Sequence, residues 1–279
     1  MKKMLILVLT SIAFSYSLKA QPNCNSVTPY GDTLRCDIFT PMGNLVVTYS
    51  MVEAATSTRE WYDDYWSSRY PNAEMIIVYD GLSSTRKFNC HGYAWLRVEQ
   101  GIDRWIGYDW PDIGMYPDIY ITDSSYIEVS SETFPGKVFW DIPGDPYRYG
   151  DHTAITTEQP GWFISKWNMY PLFKHQWNDS PYGTNFKYYV RNCSVLGNET
   201  VNVTDRTIDS DTPIKSCGNI NVQYVTVTNG ATLTLEAAGN IDIQDMIVIN
   251  NSSLIIDAAG EVTIWRDFEV ELGSELDIR

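Results

Sequence analysis

An internal repeat near the C-terminus constrains this chain more than any other feature. Gly218-Asn219-Ile220-Asn221-Val222 returns as Gly239-Asn240-Ile241-Asp242-Ile243 and as Gly260-Glu261-Val262-Thr263-Ile264, at an interval of 21 residues each time. Between them recur Leu233-Thr234-Leu235, Leu254-Ile255-Ile256 and Leu276-Asp277-Ile278, spaced by 21 and then 22 residues. Apolar residues fall on alternate positions, the period of a strand with one buried face. One such unit cannot bury its own apolar face, so neighbours must stack. Residues 198–279 are therefore expected to form a small all-β, solenoid-like repeat domain, with a meander of hairpins as the alternative. The segment has no histidine, and its one cysteine, Cys217, stands at the first unit. It is read as a device for display, spacing or stability, and its removal is expected to leave any catalytic rate nearly intact.

Upstream, the character is different. Residues 1–20 read as an export signal: Lys2 and Lys3, an apolar core from Met4 to Phe14, and a small, polar exit ending at Ala20. That core is too short to span a bilayer, and no later run is long enough. No small-residue box of lipoprotein type precedes Cys24. The expected product is a secreted protein of the periplasm, cell surface or exterior, with no transmembrane segment and no lipid anchor. The whole chain carries a formal charge of −15, and loss of the lysine-bearing signal makes it more negative. Such an acidic protein has no general electrostatic means of binding nucleic acid. Ten Trp and nineteen Tyr point to a compact aromatic core, or to an aromatic groove for a peptide or glycan.

Residues 21–197 mix helix and strand signals. Leu45 to Tyr49 reads as a strand, and Ser57 as the cap of a helix through Trp61 and Trp66. Met75 to Tyr79 reads as a short strand, Tyr93 to Val98 as helix-compatible, and Val138 to Trp140 as a strand. Asp151–Thr157 and Trp162–Trp167 flank the turn signal Glu158-Gln159-Pro160-Gly161 and make a hairpin. Helix followed by antiparallel strands indicates an α+β domain.

Chemistry concentrates on Cys90, in Asn89-Cys90-His91-Gly92-Tyr93-Ala94-Trp95. Five cysteines leave at least one outside intramolecular pairing in an oxidising compartment. Cys24 lies near Cys36, and Cys193 and Cys217 flank the composition change. Those are the expected pairs, one of three possible connectivities, and Cys90 is the odd residue. A thiol in the first turn of a helix meets free backbone N–H groups and the positive end of the helix dipole. That setting is expected to lower its pKa and to supply an oxyanion site. A thiol nucleophile also needs a base. Of the three histidines, His91 is a helix neighbour turned about 100° away, and His175 reads as a loop or substrate-side residue. His152, heading a strand after Gly150-Asp151, is the best placed.

The run Asn89–Trp95, then Gly150-Asp151-His152-Thr153-Ala154-Ile155, then Phe163-Ile164-Ser165-Lys166-Trp167 resembles the NlpC-like and CHAP-like cysteine hydrolases. These are papain-like enzymes that cut amide bonds in cell-wall peptides. The resemblance covers Lys87 to Asn178 and implies Cys90 as nucleophile and His152 as base. Its third polar residue falls near Ser165, Lys166 or Asn168. Serine is a weak orienter and lysine repels imidazolium, so Asn168 and then Ser165 are the candidates. The repeat resembles the short stacked-β domains at the C-termini of exported Bacteroidetes-type proteins, by Phe268-Glu269-Val270 and Gly273-Ser274-Glu275-Leu276. That likeness suggests association with the cell surface.

The expected architecture is thus a papain-like α+β domain over 21–197 followed by the repeat domain. The expected activity is cysteine amidohydrolysis of a peptide or peptidoglycan-like substrate, with no cofactor and no metal. The alternative is a non-catalytic cell-surface or binding protein that keeps the fold. Weaker patterns are Asp109, Asp112 and Asp118 as glycosidase carboxylates, a zinc site from scattered histidines, and Asp209-Ser210-Asp211 as a calcium loop lacking the usual glycine and glutamate.

Overall fold

The computed structural model describes residues 26–27, 33–106, 118–140 and 152–279. The signal at 1–20, Cys24, Asp109, Trp110, Asp112, Tyr116, Gly150 and Asp151 lie outside the described residues.

The N-terminal half begins with β1 (Ser26–Val27), β2 (Thr33–Phe39), β3 (Leu45–Met51), α1 (Thr56–Arg69) and β4 (Glu74–Ile76). A helical stretch follows as α2 (Cys90–Gly92), a π-helical turn (Tyr93–Arg97) and α3 (Val98–Gln100). Then come β5 (Trp105–Ile106), α4 (Ile119–Thr122), β6 (Tyr126–Val129), β7 (Lys137–Trp140), β8 (His152–Thr156), β9 (Trp162–Lys166), β10 (Leu172–Gln176), β11 (Phe186–Arg191) and α5 (Cys193–Leu196). The strands form two sheets, ordered β1-β2-β3-β5 and β4-β10-β9-β8-β7-β11-β6. This half is mostly β with few helices, a different balance from the mixed α+β expectation. The expected hairpin is present, with β8 antiparallel to β9 in the register Ile155↔Ile164. Two local expectations change. The strand over Met75 to Tyr79 shrinks to β4. The cap of α1 is Ala55 rather than Ser57, because Ala55 accepts from Thr58 and Arg59 N–H at 2.9 and 3.1 Å.

The larger sheet is covered on both faces. Phe139, Ile155, Ile164 and Leu172 pack with Tyr93 to Leu96 of the helical stretch. Val138, Trp140, Ala154 and Phe163, alternate with those, pack with Tyr182, Phe186 and Tyr188. Two buried faces explain why β8 reads as a continuous apolar and β-branched run rather than an alternating one.

The repeat half is a β-solenoid of about four turns. Its strands are β12 (Thr200–Ile208), β13 (Thr212–Ser216), β14 (Asn219–Val227), β15 (Thr232–Ala237), β16 (Ile241–Val248), β17 (Ser253–Ala258), β18 (Val262–Ile264), β19 (Phe268–Val270) and β20 (Glu275–Ile278). Every pairing within it is parallel, in ladders β12-β14-β16-β18, with β19 also on β16, and β13-β15-β17-β20. Parallel neighbours exclude a hairpin meander. Register follows the sequence interval, with Ile220↔Ile241↔Val262 and Leu233↔Leu254↔Leu276. The repeated glycines stack at one corner: Gly239 N–H donates to Gly218 O at 2.8 Å and Gly260 N–H to Gly239 O at 3.0 Å. A Cβ on Gly239 would stand 2.3 Å from Asn219 Oδ1, which accepts from Asn240 N–H at 2.8 Å. The first turn, β12 and β13, is preceded by Gly197-Asn198, 21 residues before Gly218-Asn219, but β12 pairs with β14 at a shorter offset (Thr200↔Asn219), so its strands fall out of the 21-residue interval and escaped the repeat pattern.

The two halves are tied together. Arg97 pairs with Asp209 at 2.8 Å, Arg206 donates to Val98 O at 3.0 Å, and Arg191 grips Glu199. A disulfide joins Cys193 to Cys217, as expected. Cys36 is also disulfide-bonded. Asp209 and Asp211 are engaged by Arg97 and by Thr232 N–H, respectively, which accounts for that acidic run without calcium. No described helix is long and apolar enough to cross a membrane.

Candidate functional site

The loop that delivers Cys90 is held from α1. Asp63 accepts from Ser83 and Ser84 N–H at 2.8 and 2.7 Å, and Arg59 donates to Ser84 O and Tyr79 O at 2.6 and 2.7 Å. Asn89 then caps the helical stretch, its Oδ1 accepting from Gly92 N–H at 2.8 Å, the side-chain bond that satisfies an otherwise unpaired helix-start donor. Its amide nitrogen donates to Ile106 O at 2.9 Å, fixing the helix start to β5. Gly92 is required here, since a Cβ would stand 1.8 Å from Arg104 O. The π-helical turn directly after Cys90 widens the helix where Tyr93 to Leu96 enter the core.

Cys90 is the free cysteine among the described residues, and it is 7 % exposed. The N–H groups of Thr153, His91 and Cys90 face the sulfur and favour the thiolate, as the helix-start position predicts. Burial outweighs them and pushes the thiol up to about 11. The expected low pKa is thus reversed: desolvation of a sulfur anion in a packed interior costs more than three N–H dipoles return.

His152 is fully buried, and burial holds it well below the ordinary histidine range. Its ring stacks on Tyr182 with centroids 3.5 Å apart and lies 5.1 Å from Trp140. Neither ring nitrogen has a hydrogen-bond partner among the described residues, Cys90 included. The next residue, Thr153, turns the other way and bonds His91 Nδ1 at 2.7 Å. Strand alternation thus sends Thr153 toward the helical stretch and His152 toward the Tyr182 layer. Tyr182 covers the His152 ring, stacked on the imidazole.

The third-residue candidates are not brought to His152. Ser165 is buried and bonds His175 Nε2 at 2.8 Å, and it accepts from Trp167 Nε1 at 3.0 Å. Asn168 is an exposed turn residue with φ of 60°, and its carbonyl accepts from Lys166 Nζ at 3.2 Å. His175, expected in a loop, is instead buried in β10, where its Nδ1–H donates to Gln176 O at 2.9 Å and burial lowers it to about 4. Single-sequence pattern missed it because a lone histidine between Lys174 and Gln176 reads as polar surface. Lys166 is buried beneath the same site and lowered to about 7, chiefly by desolvation, with Asp63, Glu53 and Cys90 opposing. Its Nζ also donates to Tyr170 O.

An aromatic file leads from the surface to this centre. Exposed Trp61 stacks on Tyr65, and Tyr65, Trp66, Trp167 and Tyr182 follow in contact, with centroids 5.4 to 6.4 Å apart, ending on His152. Among the described residues no cluster of three or more His, Cys, Asp or Glu could hold a metal. Of the carboxylates weighed for glycoside cleavage, only Asp118 is described, at the start of α4. No protein-family model, no curated protein and no solved structure matches the chain.

Proposed function

We propose that the chain is an exported cysteine amidohydrolase or peptidase of papain-like type, acting on peptide amides such as those of peptidoglycan stems. The observation that carries this reading is His152. A fully buried imidazole with neither nitrogen bonded among the described residues is costly, and native interiors rarely keep such groups without a use.

At neutral pH both groups are uncharged, so the reading is general-base activation and not a resting thiolate–imidazolium pair. As an amide substrate enters, His152 must turn from its stack on Tyr182 for one of its nitrogens to take the Cys90 S–H proton, and the sulfur bonds the carbonyl carbon. The new oxyanion is stabilised by the helix-start N–H groups of Cys90 and His91. The C–N bond breaks as the imidazolium returns the proton to the leaving amine. Water, deprotonated by His152, then hydrolyses the thioester and restores the thiol. Thr153 holds His91 aside, and Asn89 fixes the helix start.

A second reading, a binding protein that keeps the fold, is favoured by one observation: Ser165 is committed to His175 and Trp167, leaving His152 without an orienting partner among the described residues. Hydrolysis of peptidoglycan fragments and simple peptide amides by the mature protein, Cys90→Ala and His152→Ala separates the two. The enzyme reading expects each variant to lose essentially all turnover, without additivity in the double variant. Equal activity in wild type and Cys90→Ala, or no turnover of any substrate by wild type, overturns it.

A further inference from the structure

Tyr182 fills a space walled by other rings. It comes from the loop 177–185 between β10 and β11, where it is half-buried between exposed Pro181 and exposed Gly183. The rings it touches are closed off from solvent: His152 and Trp167 are 0 % exposed and Trp140 is 1 % exposed. Its ring lies nearly parallel to the His152 imidazole at 3.5 Å. It stands edge-on to Trp167 at 6.4 Å and is tilted by 51° to Trp140 at 6.3 Å. Stacked and edge-to-face contacts of this kind add to simple burial and select an aromatic group for the space.

Walls and occupant are held differently. His152 and Trp140 belong to β8 and β7, and Trp167 follows β9 with its Nε1–H donating to Ser165 Oγ at 3.0 Å. Tyr182 sits on a surface loop, and its hydroxyl makes no hydrogen bond among the described residues. The loop is tied to the wall by Trp140 Nε1–H, which donates to Gly183 O at 3.1 Å. The ring itself is thus held by contact alone, and a second ring can take its place. Vacating the space would leave buried apolar walls facing water, a cost that an incoming aromatic side chain offsets.

We propose that Tyr182 occupies a substrate subsite, and that a peptide substrate displaces it with an aromatic side chain of its own. This assignment rests on the reading of Cys90 and His152 as the catalytic pair. The ring beside His152 then belongs to a residue flanking the scissile amide, and the departure of Tyr182 frees the imidazole to turn. The preferred substrates are amides of Phe, Tyr or Trp residues.

The binding tests use the full chain carrying Cys90→Ala, so that no turnover intrudes, with acetyl-phenylalaninamide and acetyl-alaninamide as probes. By calorimetry, added Tyr182→Gly should tighten binding of the phenylalanine amide at least about tenfold and leave the alanine amide weak. Diethylpyrocarbonate should modify His152 at least about tenfold faster in Tyr182→Gly, whereas Tyr182→Phe, which keeps the ring, should match Tyr182. A third measurement needs no change at Tyr182, and it decides if Tyr182→Gly does not fold. The phenylalanine amide should raise nitration of Tyr182 by tetranitromethane, mapped by mass spectrometry, and the alanine amide should not. Equal binding of the two amides by Tyr182→Gly, unchanged His152 modification, or nitration that neither amide or both amides raise overturns the proposal. Ring binding that holds while the chain with Cys90 intact hydrolyses neither amide nor any other peptide leaves the subsite standing and overturns the hydrolase reading instead.

Discussion

The thiol of Cys90 provides a quantitative test, because its two competing influences act in opposite directions. Helix-start N–H groups favour the thiolate, yet burial raises the thiol from 9.0 to about 11. At pH 8 the native thiolate fraction is then about a hundredfold below that of the unfolded chain, a difference of about 3 kcal/mol. Iodoacetamide reacts with the thiolate. Native, non-reduced protein should incorporate label at Cys90 at least about a hundredfold more slowly than protein unfolded in guanidinium at the same pH. Restricted access at 7 % exposure lowers the native rate further. Mass spectrometry of the labelled peptide at pH 7, 8 and 9 gives the ratio directly. The same shift has a stability consequence. A group whose native pKa is raised stabilises the fold below its unfolded value, and that contribution is lost as pH rises from about 9 toward about 11. Cys90→Ala should lack this alkaline loss. Labelling of native Cys90 at pH 7 at or above the unfolded rate would refute the claim that desolvation wins.

The remaining predictions probe the framework. His175 is lowered from 6.5 to about 4, so its stabilising contribution is present above pH 6.5 and lost between there and about pH 4. Urea midpoints should fall by the equivalent of about 3 kcal/mol over that window, and less in His175→Asn. Gly239→Ala forces a Cβ to within 2.3 Å of Asn219 Oδ1, so thermal unfolding should show a loss of about 1–3 kcal/mol. Gly92→Ala, facing the Arg104 carbonyl at 1.8 Å, should cost at least as much and disturb the Cys90 turn. Deletion of 198–279 removes the partners of Arg97, Arg191 and Cys193, so the shortened chain should melt at lower temperature.

The sequence alone determined the solenoid. Its strand period, the 21-residue interval and the corner glycines are local properties repeated in register, and stacking follows from each turn's inability to bury itself. The hairpin over 152–166, the free Cys90 and the Cys193–Cys217 bridge were legible for similar reasons: they depend on turn chemistry and on counting. What depended on long-range packing was not. Whether Cys90 is exposed or buried is decided by the packing of α2 against β8 and β5, and that burial reverses the sign of its expected pKa shift. The direction of His152 depends on strand parity against Tyr182, thirty residues away. Ser165 and His175 find each other only because β9 and β10 lie side by side, with Ser165 across from Phe173. A sequence specifies which groups are available for chemistry; desolvation and hydrogen-bond partnership are properties of the space around them, and only the assembled tertiary structure creates that space.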